Sequence, residues 1–184
     1  MLKTIKQIII KYFPSGWYFH LYRQTFSRLI KDDRSARDAS FYKLVERFKE
    51  RKGLQIGVRK QKFSPAWVSV DLYDKSDYID FHYDIMNLEF PDEVFDVVVC
   101  AAVLEHVPDP GRAIAELRRV LKPGGEIWIE VPFCQPFHPS PQDYWRVTQL
   151  GLREWMKDFA EVESGYFLSQ GSPIHSAVYY QGKK

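Results

Sequence analysis

The chain has 184 residues, of which 45% are hydrophobic and 27% charged, a balance that fits a single soluble α/β domain with a sizeable core. No apolar run approaches the roughly 20 residues that a membrane-spanning helix needs; residues 8–10 are too short a run for the core of a secretory signal, which points to a cytoplasmic protein. The net charge of +2 conceals an asymmetry: residues 1–62 hold 16 Lys/Arg against 5 Asp/Glu and residues 63–184 hold 10 against 19, so a basic arm precedes an acidic remainder. Such an arm either pairs with the acidic part or seeks phosphate or anionic lipid.

Residues 1–38 alternate basic and aromatic groups, among them Lys3, Lys6, Lys11, Tyr12, Phe13, Trp17, Tyr18 and Phe19, and Pro14 and Gly16 split them into two short helices. This reads as a helical extension ahead of a domain spanning 39–184. Long cationic side chains over an apolar face suit a membrane surface or a partner, with residues 1–30 as the contact. Next, Phe41, Leu44, Val45 and Phe48 fall at helical spacing, with Ser40 as the cap and Gly53 past the end.

Strand-like runs follow at 54–58, 67–73, 94–100 and 127–132, with a weaker one at 79–83. A helix is predicted over 110–122: Asp109 caps it, Pro110 takes the first turn, Ile114, Leu117 and Leu121 line one face, and Gly124-Gly125 ends it. A second is predicted over 149–158, with Thr148 as cap and Leu152, Trp155, Met156 and Phe159 as the buried stripe. Strands alternating with helices imply a Rossmann-like, doubly wound, mostly parallel sheet. Segments 161–167 and 176–181 are separated by a few turn residues and are predicted to pair as an antiparallel hairpin. Cys100 and Cys134 form no CxxC pair and sit in apolar runs, which reads as two buried free thiols.

In an open parallel sheet the ligand lies beyond the carboxyl ends of the strands, where the winding reverses. Gly57 follows the first strand and lets backbone approach a ligand; Asp71, with Leu72 beside it, follows the second and can accept both hydroxyls of a ribose. Asp84 and Ile85 follow the weak third. The segment Cys100-Ala-Ala-Val-Leu-Glu-His106 forms the floor of the site.

Tyr83-Asp-Ile-Met-Asn-Leu-Glu-Phe-Pro-Asp-Glu-Val-Phe-Asp96, then Leu104-Glu-His-Val-Pro-Asp-Pro110, then Leu121-Lys-Pro-Gly-Gly125 together resemble the type 11 class I methyltransferases over about residues 53–168. The resemblance implies S-adenosyl-L-methionine as cofactor, Asp71 on its ribose, Asp84 near the adenine amino group, Ile85 beside the ring and His106 near the methionine end. The GxGxG loop of that family is reduced to Gly57 in Gln55-Ile-Gly-Val-Arg59, with Gln55 where an acid is common. Arg59 or Lys60 is then left to meet the methionine carboxylate. Gly57 and Asp71 are so close in sequence that the crossover helix between them is predicted to be short or absent.

The later segment Phe137-His-Pro-Ser-Pro-Gln-Asp-Tyr-Trp-Arg-Val-Thr148 resembles a loop of methyltransferases linked to glycans and other sugars, which implies a small-molecule or sugar-containing acceptor. His138 is the candidate general base, Asp143 orients groups, and Tyr144 and Arg146 contact substrate; alternatively Asp143 and Arg146 pair to brace the loop. Some relatives bind magnesium through E-x-x-E-H, but Ala102 replaces the first acid, so no metal is expected and Glu105 braces the loop or caps a helix. O-methylation of a small-molecule acceptor is the leading expectation. An inactive methyltransferase-like binding or scaffold protein is the alternative, and a nicotinamide-dependent oxidoreductase is disfavoured by the missing GxGxxG turn. No nucleic-acid module accompanies the basic arm.

Overall fold

The computed structural model describes residues 34–57, 61–139, 141–172 and 175–184. Its elements are α1 (Arg34–Phe48), β1 (Gly53–Ile56), β2 (Val68–Val70), β3 (Phe95–Ala101), a single 3-10 turn (Leu104–His106), α2 (Pro110–Val120), β4 (Leu121–Cys134), α3 (Gln149–Trp155), β5 (Ala160–Ser172) and β6 (His175–Lys183). The six strands form one sheet in the order β2-β1-β3-β4-β6-β5. The first four in that row are mutually parallel, while β6 runs antiparallel to both β4 and β5. The Rossmann-like sheet and its antiparallel C-terminal hairpin are therefore as the sequence predicts. Among the described residues no helix is long and apolar enough to cross a membrane.

Alternation along the strands sends successive residues to opposite faces. Val98 and Cys100 of β3 pack with Leu54, Ile127 and Ile129 against Ile114 and Leu117 of α2 and Leu152 and Met156 near α3. Val97 and Val99 face the other way, joining Trp67, Trp128 and Tyr179 beneath Phe41 and Leu44 of α1. Both faces of β3 are covered, which is why residues 97–101 are an unbroken apolar run.

Asp109 accepts from the Arg112 amide at 3.0 Å and Thr148 from the Gly151 amide at 3.0 Å, so both predicted N-caps are made. Other boundaries move. α1 has already begun by Arg34, and Ser40 lies inside it, its hydroxyl donating to Glu163 at 2.5 Å rather than capping. The expected 38/39 division falls within this helix, and the expected lipid or partner contact lies outside the described residues. α2 ends at Val120 and the chain enters β4 at once, so Gly124-Gly125 bends inside a strand.

The weak strand at 79–83 reduces to one bridge, Val70 with Phe81. Asp80 ties this edge with its side chain, accepting the Ser69 amide at 2.8 Å and the Ser69 hydroxyl at 3.0 Å, beside the backbone bonds from Asp80 and Phe81 to the Ser69 carbonyl. Cys134 is exposed, against expectation, because β4 runs past its covered stretch after Pro132.

The β1–β2 connection contains no helix among its described residues. Trp67 fills the space instead: its ring lies on Gly53, where a Cβ would stand 2.4 Å from it, and its indole N–H donates to the Phe48 carbonyl at 3.0 Å. Arg37 and Arg47 of α1 pair with Glu130 and Glu126 of β4, so part of the basic excess is met by acids of the sheet.

Candidate active site

The chain leaves β1 for β2 on one side and returns to β3 on the other, so the winding reverses between β1 and β3. There the carboxyl ends of the strands open into a cavity of about 640 Å³, within the range of small-molecule sites. It is lined by Gly57, Asp71, Leu72, Asp84, Ile85, His106 and His138, which the sequence scatters over more than 80 positions. Cys100 is the exception: its thiol is fully enclosed in the core, and burial, followed by the nearby Glu105 charge, pushes its pKa well above the ordinary value. Arg59 and Lys60 lie outside the described residues.

Gly57 adopts φ +73°, and a Cβ there would stand 2.3 Å from Cγ2 of Val103. Backbone conformation and space both require glycine. Ala102, across the cleft, holds a left-handed φ of 55°, a strain of about 1–2 kcal/mol for a residue with a Cβ. Ala102 and Val103, within the segment expected to form the floor of the site, line the cavity.

Asp71 is oriented by its own loop. Its Oδ1 accepts the amides of Tyr73 and Asp74, each at 2.9 Å, an Asx turn that presents the carboxylate edge to the cavity. Asp84 is held likewise, its Oδ1 accepting from the Met86 amide at 2.8 Å, with Ile85 buried beside it. Gln55, at the position where an acid is common, is buried and closes the shortened connection: its Oε1 accepts the Phe63 amide at 3.0 Å and its amide group reaches the Gln61 carbonyl at 3.5 Å.

At the other end, the loop after β4 is sewn to the turn after β3. Tyr144 donates its amide to the Glu105 carbonyl at 2.7 Å, the Trp145 indole donates to the Val107 carbonyl at 2.8 Å, and Val147 donates to the Pro132 carbonyl at 3.0 Å. Asp143 and Arg146 form a two-pronged pair at 2.6 and 2.7 Å, with the Asp143 side chain 2% exposed. Arg146 foremost, helped by the His138 amide, holds the Asp143 carboxyl well below the usual range, and Asp143 in turn raises Arg146. The pair braces the loop, and neither residue lines the cavity. Tyr144 is also off the lining, half exposed, its hydroxyl donating to the Gln142 side chain.

This bracing sets His138. Its amide donates to Asp143 at 2.9 Å, and its ring faces the cavity opposite His106, with centroids 5.2 Å apart. Between them lies the fully buried carboxylate of Glu105, whose Oε1 is 3.7 Å from Nε2 of His106 and 3.9 Å from Nε2 of His138. The sequence expectation counted two groups here, Glu105 and His106; the fold adds a third from a loop 32 positions on.

Residues 56–129 match the family model of the methyltransferase domain. That segment is similar to class I methyltransferases. The matched segment runs from the end of β1 to β4 and contains Gly57, Asp71, Asp84 and His106. Among curated proteins, the domain is 32% identical over 94 residues to a ubiquinone/menaquinone biosynthesis C-methyltransferase of Ralstonia nicotianae, covering 50% of this chain and 38% of that protein. The chain matches only about a fifth to two fifths of the length of such relatives. Among solved structures, the chain superposes with a TM-score of 0.66 and 16% identity on a Burkholderia thailandensis 1,6-didemethyltoxoflavin-N1-methyltransferase, over 90% of this chain and 85% of the other. An N-methyltransferase of Bradyrhizobium japonicum, solved with S-adenosylhomocysteine, superposes at 0.59 with 17% identity, over 79% and 86%. At these identities the structural likeness establishes the fold.

Proposed function

We propose that this protein is an S-adenosyl-L-methionine-dependent methyltransferase that modifies a hydroxyl of a small-molecule acceptor. The observation that carries the proposal is the cleft at the switch point, with two anchored carboxylates at one end and two histidines at the other. A cavity of about 640 Å³ beside a glycine that tolerates no Cβ fits that cofactor, and two of the solved relatives hold S-adenosylhomocysteine.

Bound there, the cofactor supplies a methyl group on a sulfonium, which leaves as a neutral thioether after in-line displacement. Asp71 accepts the ribose hydroxyls through the oxygen that its Asx turn does not use. Asp84 and Ile85 take the adenine edge and face, and Gly57 admits the chain close to its backbone. The site's main contribution is proximity and alignment. His138 takes the acceptor proton on Nε2, because its Nδ1 is engaged by the Pro136 carbonyl at 2.9 Å and by Arg146 Nη2 at 3.2 Å. Asp143, Arg146 and the strand-to-turn hydrogen bonds keep that ring in place; Tyr144, at the exposed loop edge, meets the part of the acceptor that protrudes. Sugar-linked compounds head the acceptors to try.

Turnover tests this reading. With a pool of hydroxyl-bearing acceptors, the full chain should release S-adenosylhomocysteine, and His138→Ala should slow release by about 10²-fold or more. Cofactor binding without any release, across a broad pool, would instead favour a methyltransferase-like binding module.

A further inference from the structure

We propose that Glu105, His106 and His138 form a binding site for one divalent transition-metal cation, of the zinc, iron or manganese kind, at the acceptor end of the cleft. One ligand atom from each residue lies within 4.8 Å of the other two. The two contacts to Glu105 Oε1, at 3.7 and 3.9 Å, compare with about 3.4 Å between donors arranged tetrahedrally at about 2.1 Å from a cation. Side-chain shifts of about an ångström, drawing the two imidazoles together, close the set.

Hydrogen bonding orients both rings for this. Nδ1 of His106 lies 2.5 Å from the Gln142 carbonyl, and Nδ1 of His138 lies 2.9 Å from the Pro136 carbonyl. These contacts, with Arg146 Nη2 also 3.2 Å from Nδ1 of His138, hold each Nδ1 on the loop side and turn each Nε2 toward Glu105. Imidazoles that ligate metals are fixed in this way, by a backbone carbonyl on the far nitrogen. The supports are rigid. Glu105 and His106 share the 3-10 turn after β3, and His138 sits on the loop that Asp143 and Arg146 brace.

Two neutral imidazoles and one carboxylate suit a borderline transition cation better than magnesium or calcium, which prefer oxygen donors throughout. Three protein ligands leave a coordination position open, and because both histidines line the cavity that position faces it. The chemical role, unlike the binding, rests on the methyl-transfer reading. A cation there lowers the pKa of an acceptor hydroxyl, whose proton passes to solvent. The oxygen lone pair then bonds to the methyl carbon as the carbon–sulfur pair withdraws onto sulfur. His138 in that state is a ligand and no longer the base, and the site selects oxygen acceptors over carbon.

The test uses the full chain stripped with a chelator and titrated with Zn²⁺ alone, without cofactor or acceptor, with Co²⁺ visible absorption as a second readout. One equivalent should bind, with affinity falling at least tenfold in His106→Ala, His138→Ala and Glu105→Gln, and the Co²⁺ spectrum should lose its imidazole signature in both histidine variants. If Glu105→Gln fails to fold, the two histidine variants, checked by circular dichroism, carry the test. Absence of stoichiometric binding, or wild-type affinity in His138→Ala, would overturn the site. Zn²⁺ binding in a chain that ignores S-adenosylhomocysteine would keep the metal site and remove the methyl-transfer reading; the converse result would do the opposite.

Discussion

Gly57→Ala is the sharpest structural probe of the cleft. The added methyl meets two separate obstacles. A φ of +73° costs a residue with a Cβ about 1–2 kcal/mol, and a contact of 2.3 Å to Val103 Cγ2 adds roughly 1–3 kcal/mol of overpacking, because a β-branched neighbour has few rotamers to retreat to. The total, about 3 kcal/mol, leaves a folded protein of ordinary stability and corresponds to a fall in Tm of about 6–12 °C for a chain of this size. A double-mutant cycle separates the two contributions. Val103→Ala alone should destabilise by about 1 kcal/mol, while in the Gly57→Ala background it should restore about 1–2 kcal/mol, since it removes the collision and leaves the backbone strain. Urea unfolding of the four proteins reads the coupling. If Gly57→Ala melts within about 2 °C of wild type, or if the two substitutions are additive, Gly57 does not stand against Val103 at the neck of the cleft.

Other consequences follow from the loop and the thiols. Asp143→Asn should lower stability by about 3 kcal/mol at neutral pH, since it leaves Arg146 without its carboxylate. Its native pKa lies below the ordinary 3.8, so the contribution is complete above that value and is lost as pH falls below it toward the native pKa; wild type and variant should converge in acid-unfolding curves below about pH 4. Cys134 is exposed and Cys100 enclosed with its pKa raised. A thiol reagent should therefore label one cysteine per native chain, located by mass spectrometry at Cys134, and the second only on unfolding. Equal labelling rates would contradict the burial of Cys100.

Much of this fold can be read from local pattern. The unbroken Val97–Val98–Val99–Cys100 run signals a strand covered on both faces, and Asp109-Pro110 and Thr148 mark helix starts because capping is a short-range interaction. The edge near Phe81 cannot be read that way: its apolar residues look like a strand, but the Asp80 side chain satisfies the Ser69 amide and the pairing stops at one bridge. Cys134 shows the same limit, since burial depends on where neighbouring strands stop. In the cleft, Asp71 is legible because it follows a strand, and Asp84 and His106 because each belongs to a motif. That His138 returns to meet Glu105 and His106 depends on backbone hydrogen bonds such as Tyr144 to Glu105, which carry no signature in side-chain type. Likewise Gln55 reads as a lost acid, whereas its amide both accepts from Phe63 and donates toward Gln61, which no carboxylate can do.

The central claim, that the switch-point cleft holds the adenosyl cofactor through Asp71, is tested most directly by calorimetric titration of the full chain with S-adenosylhomocysteine. Wild type should bind one equivalent, and Asp71→Ala should bind about tenfold to hundredfold more weakly, the loss of hydrogen bonds to a charged acceptor. No binding to wild type, or equal affinity in the two proteins, would contradict it.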